Sequence, residues 1–226
     1  MRMRKKKNLE ARLNAVKDYL YVSDSEDRNF NTAVLNKDYI DIDNWFGAKR
    51  PLYLEIGCGK GKFACEFAES NPDINLLAVE KNANVLVEAC EKAQEKGLKN
   101  VKFLKCGAEY LERHLKEGSI ERIFLNFSCP FPKNSYAVHR LTHSSFLKIY
   151  KRLLAKGAEI HQKTDNMHFF EFSLEQFSNE SFALKNVSLD LHNSNFEGNI
   201  ETEYEHRFAS LGQPIYRLEA YLKEVE

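Results

Sequence analysis

The sequence lacks the features that would place it in several large functional classes. Its 226 residues include only five cysteines, Cys58, Cys65, Cys90, Cys106 and Cys129. They form no C-x-x-C pair and no Cys/His ligand cluster, which argues against a metal site and points to reduced thiols in a cytosol. No apolar run approaches the length that spans a bilayer. The formal net charge is zero, from 33 Lys and Arg against 33 Asp and Glu. No global positive field therefore announces a nucleic acid, and any such attraction is local. The basic start, Arg2, Arg4, Lys5, Lys6 and Lys7, has no apolar segment behind it and does not read as a secretory signal. Repeats, low-complexity tracts and linkers are missing too. The expectation is one cytoplasmic, membrane-free domain over 1–226, with 1–50 a basic arm and lead-in to the core.

What is present is concentrated in Leu52-Tyr53-Leu54-Glu55-Ile56-Gly57-Cys58-Gly59-Lys60-Gly61, an apolar run that breaks into alternating glycines. The run reads as a buried strand, and the glycines allow a tight turn that brings backbone against a ligand. A helix from Lys62 to Ser70 follows. Glu80 closes a second apolar run, Asn75 to Val79, and stands where an acid accepts hydrogen bonds from both hydroxyls of a ribose. Here again an absence decides. The dinucleotide fingerprint needs a third glycine where Lys62 stands, and a P-loop needs Ser or Thr where Phe63 stands. Both phosphate readings fail. The remaining E-x-G-x-G-x-G pattern resembles the loop of S-adenosylmethionine-dependent methyltransferases, whose cofactor has an amino acid and a sulfonium in place of a pyrophosphate.

From Leu52 onward strand and helix patterns alternate, which predicts an α/β fold with a mostly parallel sheet covered on both faces. A short helical pattern at Leu9 to Tyr19 precedes them. Later strands are expected at 101–105, 121–127, 158–164, 184–191 and 214–222, giving about seven in all. Asn82 is the expected cap of one helix and Thr142 or Ser144 of another that stops near Gly157. A third helix runs from Met167 to Asn179. In such a sheet ligands bind outside the carboxyl ends of the strands. One rim is thereby expected from Gly57–Gly61, Glu80, Cys106–Ala108, Asn126–Lys133 and Lys163–Asn166. Pro130 and Pro132 stiffen the fourth segment, which helps align two reactants.

Several stretches resemble one family, and three of them, Lys163 to Asn166, Thr202 to Glu205 and Gly212 to Arg217, are together specific. Met1-Arg2-Met3-Arg4, Asn126-Phe127-Ser128, Arg140-Leu141-Thr142-His143, Lys163-Thr164-Asp165-Asn166, Leu189 to Ser194, Thr202-Glu203-Tyr204-Glu205 and Gly212-Gln213-Pro214-Ile215-Tyr216-Arg217 resemble the bacterial tRNA (guanine-N7-)-methyltransferases. The resemblance implies a Rossmann-like class I methyltransferase fold and methyl transfer from S-adenosylmethionine to N7 of a guanine in the tRNA variable loop. It implies cofactor contacts from Glu55, Gly57, Gly59, Glu80, Gly107, Ala108 and Asn126. It implies tRNA contacts from Lys133, Asp165, Thr202, Glu203, Tyr204 and Glu205. The basic run from Arg2 to Lys7 reads equally as a solvated terminus or as an arm that reaches nucleic-acid phosphates.

Three positions depart from that family. Cys129 stands where the family carries the acid regarded as catalytic. Lys133 to Arg140 holds fewer cations than the family's basic run. Gly107 stands where an acid or amide usually meets the adenine, and an acidic substitute such as Glu109 lies two residues on. Guanine N7 carries a lone pair and no proton, so methyl transfer needs positioning rather than a base. Positive charge grows on the purine during transfer, and a nearby carboxylate stabilises it more than a neutral thiol does. Asp165, Glu203 and Glu205 are the candidates for that negative charge. The alternative reading is a weakened or inactive paralogue that still binds tRNA or cofactor.

Overall fold

A computed structural model describes residues 6–23 and 35–223. Two compact units make up the chain, one ending at Leu115 and the other beginning at Lys116. The first unit contains α1 (Leu9–Ala15), β1 (Leu20–Val22), α2 (Ile42–Phe46), β2 (Leu52–Ile56), α3 (Lys62–Ser70), β3 (Asn75–Val79), α4 (Ala83–Glu95), β4 (Val101–Lys105) and α5 (Leu111–His114). Its strands pair in parallel in the order β1-β4-β3-β2. Every residue of β3 is buried and β2 nearly so, the continuous apolar pattern of parallel strands covered on both faces. Phe63, Ala64, Phe67 and Ala68 of α3 and Leu86, Val87, Ala89 and Ala93 of α4 supply the cover.

The second unit contains β5 (Ile120–Asn126), α6 (Ser144–Leu153), β6 (Leu154–Thr164), α7 (Met167–Asn179), β7 (Phe182–Ser188), α8 (Glu203–Ala209) and β8 (Tyr216–Leu222). β5 and β6 are parallel, whereas β8 runs antiparallel to both β6 and β7. Phe169, Phe170, Ser173 and Phe177 form the buried face of α7. The alternating pattern and mostly parallel pairing give a Rossmann-like α/β fold.

The structure adds an eighth strand among the described residues. β1 lies in the expected lead-in, where three residues after a helical pattern carry too little periodicity to be read as a strand. α1 correspondingly stops at Ala15 instead of Tyr19. Helix α6 is capped by neither Thr142 nor Ser144: the His143 ring nitrogen accepts from Ser145 N–H at 3.2 Å. Nor does Gly157 stop it. α6 ends at Leu153, and Gly157 sits inside β6 with φ +76°, next to the register shift against β5. Asn82 does cap α4, and Asn166 caps α7 by accepting from Phe169 N–H at 2.8 Å. No helix among the described residues is long and apolar enough to cross a membrane.

Candidate active site

In the first unit three parallel strands end level with one another. Ile56 pairs with Val79 and Val79 with Leu104, so the residues just beyond them share one edge. The Val79 carbonyl accepts from Gly57 N–H at 2.8 Å and Cys58 N–H at 3.1 Å, and Glu80 N–H donates to Leu104 O at 3.2 Å. Gly57, Gly59, Glu80, Gly107 and Ala108 are thereby gathered where the sequence pattern expects them. Gly57 and Gly59 have φ of +85° and +54°, and a Cβ on either would meet nothing within 4 Å. The backbone there is open to close approach. Gly61 ends the loop at φ +72° as the N-cap of α3, with no side chain of its own to satisfy the helix.

The charges along this edge suit a cationic, hydroxyl-bearing ligand. Glu55 is buried at the end of β2. The buried Cys58 thiol is pushed well above its usual pKa, first by burial and then by Glu55 and Glu80, so both carboxylates act on one spot. One Glu80 oxygen accepts Asn82 N–H at 2.8 Å, which fixes the side chain and leaves its other oxygen with no donor among the described residues. The two loop lysines are not gathered for a pyrophosphate. Lys62 pairs with Glu66 at 2.9 Å and Lys60 with Glu88 at 3.5 Å. Part of the basic start is similarly engaged. Lys6 N–H donates to Asn84 at 2.9 Å, its ammonium pairs with Glu88, and Arg12 holds Glu91 through two hydrogen bonds of 2.7 and 2.5 Å. Arg2, Arg4 and Lys5 lie outside the described residues.

In the second unit Asn126 pairs with Lys163 at the ends of β5 and β6. The next residue, Phe127, is turned at φ +49° and donates its N–H to Lys163 O at 2.8 Å. Cys129 and Lys133 are exposed on the loop that follows. Asp165 is half-buried beyond β6, and its carboxylate has no hydrogen-bond or ion-pair partner among the described residues. Beside this loop lies a cavity of about 580 Å³ lined in part by Pro130, Pro132, Arg140, Asn166, Glu171 and Phe172.

The stretch Thr202 to Glu205 divides in two. Glu203 and Tyr204 are exposed on the first turn of α8, with Tyr204 stacked on Phe208. Thr202 and Glu205 are buried and build a capping box. Glu205 also accepts Lys163 Nζ at 2.6 Å and Asn199 at 2.6 Å, and lies 3.2 Å from His192 Nε2. A carboxylate so placed orients α8 instead of facing solvent.

Two supports escape a reading of residue patterns. Arg140 is buried, donates to Pro130 O at 2.9 Å and Phe131 O at 3.0 Å, and stacks its guanidinium 4.4 Å from the Phe172 ring centre. It fastens the Cys129 loop. Lys163 holds α8 through Glu205, Asn199 and Ile200 O. Both residues stand in recognisable stretches, but nothing local marks a lone cation as buried. A third cluster, Glu159, His161 and Glu219, has ligand atoms within 4.8 Å of one another. Lys185 pairs with Glu159 and Arg217 with Glu219, and Arg122 lies 3.7 Å from Glu159, so cations already compensate its acids.

Comparison with known proteins adds independent findings. A family model described as "Putative methyltransferase" matches residues 49–218. The tRNA (guanine-N(7)-)-methyltransferase of Bacillus subtilis (strain 168) is 48% identical over 174 residues, covering 77% of this chain and 82% of that protein. The protein of the same name from Listeria innocua serovar 6a is 50% identical over 175 residues, with the same coverage. Among solved structures, the aminoglycoside resistance methyltransferase NpmB1 superposes with a TM-score of 0.59 at 19% identity, covering 82% of this chain and 95% of that one. The 16S rRNA methyltransferase KamB gives 0.58 at 16% identity, covering 90% and 95%. At such identities these structures bear on the fold alone.

Proposed function

This chain belongs to the tRNA (guanine-N(7)-)-methyltransferase family, and from that premise we propose that it methylates N7 of a guanine in the variable loop of tRNA. S-adenosylmethionine is the methyl donor, and it supplies an electrophilic methyl carried on a sulfonium. The residues present fit it: an open, positive-φ glycine turn, two carboxylates acting on one spot, and lysines turned away. Glu80, with one oxygen fixed by Asn82, is placed to accept from ribose hydroxyls. Glu55, Gly57, Gly59, Gly107, Ala108 and Asn126 complete the proposed cofactor contacts.

On the nucleophile side no base is required, because N7 presents a lone pair. The protein's task is to align it, and in well-oriented systems alignment contributes up to about 7–11 kcal/mol. The loop fastened by Arg140 gives the rigidity for this. Asp165, half-buried and unpaired among the described residues, is the best-placed carboxylate to stabilise positive charge growing on the purine. Lys133, Glu203 and Tyr204 are exposed and are the proposed RNA contacts, whereas Thr202 and Glu205 act through the set of α8. Residues Arg2 to Lys5 and Lys7 are the proposed phosphate contacts of the arm. One methyltransferase domain working in the cytoplasm is the setting this reading requires.

The single observation that carries the activity is the identity of about half the residues over most of both chains. The same observation disfavours the inactive alternative, despite Cys129. Transfer of labelled methyl to tRNA, followed by chain cleavage at the depurination-prone base, is expected to report N7-methylguanine. Cys129→Asp is expected to raise the single-turnover rate by adding negative charge beside the purine. A slower variant would show that the site is built around the thiol. No signal from the parent, with tRNA binding intact, would remove the activity.

A further inference from the structure

We propose that Tyr136, with His139 and Phe131 beside it, is a stacking platform for an unpaired base of the tRNA. The three rings sit on the loop that follows β5. Tyr136 meets His139 at 6.0 Å between ring centres, and His139 meets Phe131 at 5.7 Å. His139 is the only ring contact of Tyr136 among the described residues, and at 44° between planes it does not cover the phenol face. Tyr136 is 49% exposed, and the short helix that carries it, Asn134–His139, has no buried residue. Core packing therefore does not account for an aromatic at this position. Phe131 stands at φ +42°, a conformation costly for a bulky side chain. Arg140 holds it there by donating to Pro130 O and Phe131 O. Backbone strain maintained by a buried cation on an exposed loop is a mark of ligand sites.

The surroundings identify the occupant. Pro132 and Asn134, from the same segment, line the cavity of about 580 Å³, where Phe172 is a further aromatic wall and Asn166, His168 and Glu171 supply polar groups. Flat apolar faces beside hydrogen-bonding groups suit a nucleobase, which has a π-face and a polar edge. An aliphatic side chain would leave those polar groups unpaired. Cations are scarce here. Between Lys133 and Arg140 the chain has no other Lys or Arg, and the Arg140 guanidinium is spent on two backbone oxygens and the Phe172 ring. Lys133 remains, exposed, for a phosphate. A ring for the base beside a cation for the backbone is how unpaired nucleic acid is held. The platform rests on the tRNA reading and names how that substrate is gripped: by stacking, which resists salt, more than by phosphate contacts, which do not.

The test is binding of unmodified tRNA over a salt series to the parent, Tyr136→Ala, Tyr136→Phe and Lys133→Ala. Tyr136→Ala is expected to bind about five- to hundredfold more weakly at every salt concentration, with an unchanged slope of log affinity against log salt. Tyr136→Phe keeps the ring and is expected to match the parent. Lys133→Ala is expected instead to flatten the slope by about 0.7–0.9. If Tyr136→Ala bound tRNA as the parent does, the platform would be overturned while the tRNA reading stood. A flattened slope in Tyr136→Ala would overturn it too, because the ring would then serve only to present Lys133. A Tyr136→Phe variant as weak as Tyr136→Ala would do the same by assigning the contact to the hydroxyl. A parent that binds tRNA at no salt concentration would remove the tRNA reading and the platform together.

Discussion

Gly61 is held by two constraints at once, and each has a separable cost. Its φ of +72° disfavours any side chain, and a Cβ there would lie 2.6 Å from Ala89 Cβ. Gly57 shares only the first constraint, since a Cβ on it meets nothing within 4 Å. Left-handed backbone costs an L-residue about 1–2 kcal/mol, and overpacking adds about 1–3 kcal/mol. Gly61→Ala is therefore expected to lower stability clearly more than Gly57→Ala in urea denaturation. Gly57→Ala, by contrast, is expected to act mainly on cofactor affinity. Equal losses of stability would mean that α3 shifts off α4 freely to admit the methyl group. The same comparison explains why the alternating glycines are legible in the amino-acid sequence. Positive φ and close approach leave a compositional trace, because glycine alone meets both without strain.

Helix α8 illustrates how a seven-residue element is held in place by side chains from outside it. Too short to be stable alone, it is fixed by the Thr202–Glu205 capping box and by Lys163 from the end of β6. The Lys163 and Glu205 side chains are nearly or fully buried, at 8% and 0% exposure, so removing one partner strands the other. Lys163→Met is expected to cost about 3–5 kcal/mol, while Lys163→Met/Glu205→Leu costs less than the sum of its single changes. Chemical denaturation of the four proteins measures the coupling, and simple additivity would show that Asn199 and His192 alone hold Glu205. Helix and strand positions are largely readable from the sequence because burial imposes periods of 3.6 and 2. α7 begins and ends where its pattern does, at Met167 and Asn179. The role of Glu205 is not readable in that way. Thr-x-x-Glu signals a cap, but nothing local says that Lys163, 42 residues away, lies against it.

Acid and base balance to zero over the chain, so its response to pH is set by a few buried groups rather than by net charge. Burial pushes His161 down to about 4, with Arg122 and Arg217 acting in the same direction while Glu159 and Glu219 oppose them. Lys185 completes the charges around this cluster by pairing with Glu159, and Phe124 meets the ring edge-on. His114 is likewise lowered by burial. Between pH 6.5 and about 4 the unfolded chain binds a proton at His161 that the folded chain refuses. Stability is therefore complete above about pH 6.5 and falls as pH drops through that window, by on the order of 3 kcal/mol for His161. Glu159 and Glu219, both held below the usual carboxylate range, extend the loss to lower pH. His161→Gln keeps a polar side chain beside Glu159 but cannot titrate. Its urea-unfolding free energy is expected to vary less between pH 6.5 and 4 than the parent's, with the remaining slope carried by His114. If the variant's slope matched the parent's, the acid sensitivity would belong to other groups and the imidazole would titrate as it does in the unfolded chain.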